Sequence, residues 1–188
     1  MNLETEILKE HSKRQVVKIG TWVGKDQRRF KQLMELFLRG EAVITQRSAW
    51  VVGYCVEHHP DLAKPWLKSM LKKTQEPGVH DAVRRNVTRI LECVEIPGSL
   101  MGLVVSICFE NLGSIDSPIA VKAYSMGVLL KICEREPDLK HELQAVIEQM
   151  IPFVGPALQA RGRQVIRKLD RDNRLLEKAT RGNPKQPT

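Results

Sequence analysis

The chain has 188 residues, 42% of them hydrophobic, which is enough for a substantial buried core and argues against extended disorder. Its longest apolar run, around Leu100 to Phe109, falls short of the roughly 20 residues that span a bilayer, and Met1 to Glu10 alternates in charge where an export signal would be basic and then apolar. A cytoplasmic protein with no membrane partner is expected. The net charge of +8 is unevenly placed. Residues 1–94 hold 17 Lys and Arg against 11 Asp and Glu, residues 95–160 hold 4 against 8, and residues 161–188 hold 9 against 3. Two basic zones therefore flank an acidic one, a pattern that admits nucleic acid only at selected places.

Apolar residues recur at helical spacing almost throughout, as in Val83, Val87, Ile90, Leu91 and Val94, and strand-like alternation is nearly absent, so the fold class is all-α. Pro, Gly and Asp breaks delimit about nine predicted helices, near 3–22, 26–39, 42–58, 61–74, 79–94, 98–112, 117–135, 138–151 and 157–178. Asp26, Asp61, Ser117 and Asp138 stand where a side chain can cap a helix start. A single N-terminal capping helix is expected within residues 1–24, one repeat domain over 1–178, and a flexible basic tail over 179–188, whose residues from Arg181 onward include no apolar side chain to dock in a core. Cys55, Cys93, Cys108 and Cys133 form no Cys-x-x-Cys and have no His at zinc-ligand spacing. Each is expected as a small buried hydrophobe, with no metal and no redox pair.

The helices repeat. Pro60-Asp61-Leu62 returns as Pro137-Asp138-Leu139, and Arg85, Val87, Arg89 and Leu91 answer to Arg163, Val165, Arg167 and Leu169, at one nearly constant offset. Arg47, Arg84, Lys122 and Arg161 recur at nearly equal intervals close to half that offset, and Ile19-Gly20 mirrors Val52-Gly53. Helix pairs that bury their apolar faces by stacking on their neighbours produce such periods.

Asp81-Ala82-Val83-Arg84, opening a helix after Pro77-Gly78, resembles the Asp-x-x-Val-Arg signature of the second helix of a HEAT unit. Ser117 to Leu130 and Thr45 to Ala49 are similar. The resemblance to the HEAT and armadillo-like families covers roughly residues 11–170 and implies a right-handed α-α superhelix whose second helices line the concave side. It also implies that the phased Arg47, Arg84, Lys122 and Arg161 pair with acidic residues and help stack the repeats. Thr45 to Leu67, with Gln46-Arg47-Ser48-Ala49-Trp50 followed by Glu57-His58-His59-Pro60-Asp61, resembles a segment of the DNA alkylation repair glycosylases. Those enzymes hold duplex DNA on a basic concave surface and use an Asp beside Trp residues; one turn beyond Trp50 this chain has Tyr54.

Candidate binding residues follow from spacing. Arg85 with Arg89, and Arg163 with Arg167, place two guanidinium groups on one helix face, either as a solvated face or as an anion contact. Trp50 and Tyr54, near Arg47, suit a grip on a peptide, stacking on a base, or packing between repeats. Trp22 and Trp66 are expected in the core, and His58-His59 at a helix end that they help to satisfy. No phosphate loop, nucleophile elbow or His-Glu-x-x-His occurs, so neither catalytic residue nor cofactor is assigned. The expected activity is that of a non-enzymatic module binding a protein or other macromolecule on its concave helix face, with a nucleic-acid-binding protein related to the DNA alkylation repair glycosylases as the alternative.

Overall fold

A computed structural model describes the backbone of residues 1–181 and the side chains of residues 1–171. Among these residues the chain is all-α, with no strand: α1 (Leu3–Lys9), α2 (Lys13–Val23), α3 (Gln27–Arg39), α4 (Ala42–His58), a 3₁₀ turn (Pro60–Trp66), α5 (Leu67–Thr74), α6 (Asp81–Cys93), α7 (Gly98–Gly113), α8 (Ile119–Ile132), α9 (Leu139–Met150), a second 3₁₀ turn (Ile151–Phe153) and α10 (Pro156–Arg181). Of the tail expected over 179–188, the part beyond Arg181 lies outside the described residues. No helix among the described residues is long and apolar enough to cross a membrane. The chain divides into two compact units, Met1–Ile107 and the part from Cys108 onward.

The first unit is built from helix pairs in two layers. α1, α3 and α5 neighbour one another in one layer, α2, α4 and α6 in the other, and the pairs α1 with α2, α3 with α4 and α5 with α6 pack across. Amphipathic spacing explains the arrangement. In α3 the residues at i, i+3, i+4 and i+7, namely Phe30, Leu33, Met34 and Phe37, are fully buried, and charged residues cover the opposite side. Asp26 starts this helix by accepting from the N–H groups of Arg28 (2.8 Å) and Arg29 (3.1 Å).

Several boundaries differ from the sequence expectation for identifiable reasons. The helix expected over 3–22 is two helices, because Glu10 is extended and Ser12 accepts from the Gln15 N–H to begin α2. Pro65, with no N–H to donate, keeps Pro60–Trp66 in a 3₁₀ turn, so α5 begins only at Leu67. Of the four expected caps only Asp26 acts as one. Asp61 instead pairs with Lys64 at 2.8 Å, Asp138 makes no capping bond, and Pro118 takes the cap position expected of Ser117. Cys93 is exposed rather than buried, whereas Cys55, Cys108 and Cys133 are buried.

In the second unit α8, α9 and α10 pack on one another. Gly162 lets α10 approach α9, since a β-carbon there would sit 2.9 Å from Ile147 Cγ2. The repeat seen in the sequence is reproduced in burial. Val87 and Leu91 in one unit and Val165 and Leu169 in the other are all buried, while Arg85 and Arg163 are both exposed.

Candidate functional site

The candidate residues of the first unit lie on α4 and α6, in the layer of second helices. Arg47 is committed to the fold: its Nη1 donates to the carbonyl of Leu8 at 2.7 Å and, more weakly, to that of Ile7 at 3.4 Å. The last turn of an α-helix leaves its carbonyls without intrahelical donors, and Arg47 supplies one to α1 from across the layer. Its acceptors are thus carbonyls rather than the acidic side chain that the phased column implied.

One turn on, the half-buried Trp50 meets His11 edge to face, with ring centroids 5.3 Å apart. Tyr54 lies against Gly20 of α2, and its ring is 4.2 Å from that of His58. His58 Nδ1 is 2.8 Å from the Tyr54 carbonyl, so this histidine serves the helix end as the sequence suggested. Arg89 repeats the arrangement on the next helix. Gly53 of α4 makes room for its Nη2, and for Asn86, just as Gly20 makes room for Tyr54. The mirrored glycines of the sequence are thus the seats on which the next second helix rests its side chains.

Arg89 is half-buried, and its Nη2 stands 3.8 Å from Glu57 Oε2. Arg85, one turn earlier on α6, is exposed. α4 and α6 therefore offer Trp50, Tyr54 and His58 together with Arg85, Arg89 and a carboxylate, an aromatic and cationic strip of mixed sign. Sequence spacing pointed to the aromatics and arginines but missed His11 and Glu57, whose relevance depends on which helices stack.

The remaining candidates belong to the second unit. Arg163 is exposed and donates to Gln159 Oε1 at 2.9 Å, and Arg167 is exposed on the same helix. Arg161 donates to Gln164 Oε1 at 3.2 Å. Lys122 is buried, with 7% of its surface exposed. Arg84, half-buried in the first unit, follows Val83 in α6. Neither Trp22 nor Trp66 is a core residue as expected: both are half-buried, and the Arg29 guanidinium lies 4.6 Å from the Trp22 ring centroid.

Elsewhere, local electrostatics mark junctions. The carboxyl of Glu6 is held below its ordinary value by hydrogen bonds from Lys18 (2.5 Å) and Gln15 (2.8 Å), which tie α1 to α2. Burial pushes the Cys55 thiol up to about 12, and burial does the same to Cys108, slightly offset by a hydrogen bond with Ser125. Among the described residues no three His, Cys, Asp or Glu side chains converge as a metal site would require.

No curated protein and no solved structure matches the chain. A family model described as a HEAT repeat domain matches residues 3–169, the stretch that holds the layered helix pairs, and the chain belongs to the HEAT repeat domain family.

Proposed function

We propose that the chain is a non-enzymatic binding module that holds a protein partner on the second-helix layer of its first unit, along Trp50, Tyr54, Arg85 and Arg89. The observation that carries this reading is the pairing of Arg89 with Glu57 over Gly53. A surface for duplex DNA needs cations free to neutralise phosphates. Here Arg89 of the strip faces a carboxylate, and Arg47, on the same helix as Trp50 and Tyr54, is occupied by main-chain carbonyls. Tryptophan, tyrosine and arginine on a rigid scaffold are the residue types that dominate protein–protein binding energy, the aromatics because they bury large areas at small entropic cost and arginine because its planar fork donates several hydrogen bonds. Helical repeats add such contacts along a stiff face.

A photo-crosslinking residue in place of Tyr54, in the full chain and in the cells that make it, tests the reading. The expected result is a discrete crosslinked species that survives nuclease, disappears on protease treatment, and is depleted when Arg85 and Arg89 are both replaced by alanine. Crosslinks that nuclease removes would transfer the site to nucleic acid and end the protein-binding account.

A further inference from the structure

The second unit carries a groove that the sequence did not mark. It has a volume of about 760 Å³ and is walled by the end of α7, the start of α8, the side of α9 that carries Glu142, Val146 and Gln149, the second 3₁₀ turn and the start of α10. Three of the seven large hydrophobic side chains exposed among the described residues line it: Ile115 at 94% exposure, Ile119 at 62% and Phe153 at 88%. Water-facing apolar residues gathered at one place mark a surface that another molecule covers.

Two largely buried polar residues in the same groove lack partners among the described residues, whereas its one carboxylate, Glu142, is exposed to water. Lys122 is only 7% exposed, yet its ammonium makes no hydrogen bond or ion pair with the described residues. Ser117 is also 7% exposed, and its buried Oγ has no hydrogen-bond partner among the described residues. α8 opens beside them with Pro118 at its cap, which provides no side-chain acceptor for the first-turn N–H groups. The Lys122 ammonium, which opens onto the groove, the unpaired Ser117 hydroxyl and a helix N-terminus are each donors, and a carboxylate satisfies all three kinds.

We propose that this groove binds a peptide segment of a protein partner in which an Asp or Glu adjoins large apolar side chains. The carboxylate meets Lys122 and Ser117, and the apolar side chains pack on Ile119 and Phe153. An enclosed lipid chain fits poorly, because the outward-facing Ile115 and Phe153 form a rim rather than a cover. The chain's own residues 182–188 contain no large apolar side chain and therefore lack the required pattern. This site is separate from the strip on the first unit and does not depend on it.

The probe is a random peptide library displayed on phage and selected on the full-length protein. Selected peptides are expected to share an acidic residue within one helical turn of Leu, Ile, Phe or Met. Anisotropy with the best peptide should show loss of binding for Phe153→Asp and Ile119→Asp, exposed positions that leave the core intact. Lys122→Met should weaken binding by about tenfold, the worth of one charge-assisted hydrogen bond. Exchanging the peptide carboxylate for an amide should weaken binding to the wild type and leave the Lys122→Met protein indifferent. Arg85→Ala with Arg89→Ala should change nothing, which separates this site from the one on the first unit. The proposal is overturned by selected peptides without an acid, or by binding that survives Phe153→Asp. It is also overturned by self-association of the unliganded protein that Phe153→Asp abolishes, since a second copy would then be the occupant, or by saturable uptake of a labelled fatty acid with no peptide enriched.

Discussion

The ring of Tyr54 lies on the bare α-carbon of Gly20, so close that a β-carbon at position 20 would overlap Cδ1 and Cε1. Glycine at 20 is therefore a condition for the stacking of α2 on α4. In an isolated helix Gly→Ala gains about 1 kcal/mol, but overpacking against a ring costs about 1–3 kcal/mol. Gly20→Ala should thus lower stability in urea unfolding by about 1 kcal/mol, as the difference of those opposing effects. In a Tyr54→Ala background the same change should be neutral or stabilising. A stabilising Gly20→Ala in the wild type would show that the ring simply moves aside.

Arg47 of α4 bonds to main-chain carbonyls at the far end of α1. Arg47→Met keeps much of the stem and removes the donor, so α1 should lose its terminal cap at a cost of about 1–2 kcal/mol. Hydrogen exchange should accelerate in residues 3–9 ahead of α3 and α4. Uniform acceleration across the first unit would mean that Arg47 supports the whole layer instead.

The depressed Glu6 carboxyl sets a pH dependence. Its folded value lies below the ordinary 4.5, so the stabilisation it provides is present above that value and is lost as pH falls through the lowered one. Acidification from pH 5 should therefore loosen the junction of α1 with α2, read as faster amide exchange around Gln15, before general unfolding. Glu6→Gln should make exchange at that junction insensitive to pH over the same range. An unchanged profile in Glu6→Gln would assign the loosening to another carboxylate.

Thiol chemistry should sort the cysteines by exposure. Cys93 is exposed, while burial raises Cys55 and Cys108 to about 12 and leaves them almost without thiolate at neutral pH. Maleimide at pH 7 should modify Cys93 alone in the native protein, and the other three only on unfolding, as mass spectrometry of peptides can show. Labelling of Cys55 at the rate of Cys93 would indicate that α4 opens readily.

The arginine pairs that recur at the same phase of the repeat discriminate the two binding chemistries. If Arg85, Arg89, Arg163 and Arg167 met phosphates, removing each would lower the salt slope of duplex binding by about one. The protein-binding proposal expects the wild type and the fourfold alanine variant to bind duplex DNA equally, or not at all, at low and moderate salt. A steep slope that flattens in the variant would decide for nucleic acid.

Helix content and repeat period were legible in the amino-acid order because each is decided within a few turns. Pro and Gly interrupt the chain locally, apolar residues recur at helical spacing, and the constant offset between Pro60-Asp61-Leu62 and Pro137-Asp138-Leu139 reports helix pairs that must stack to bury those residues. Even the missed break between α1 and α2 had a local signal, the Ser12-x-x-Gln15 pattern of a capping box. The destinations of long side chains were not legible. Arg47 finds its acceptors in α1, Arg89 finds Glu57 on the preceding second helix, and the groove unites Phe109 with Leu158. Periodicity indicates which face of a helix is apolar, but which polar group a guanidinium or ammonium reaches depends on the helices that stacking brings beside it. For the same reason Lys122 looked like another rung of a regular column, and only tertiary packing left it largely buried without a partner among the described residues.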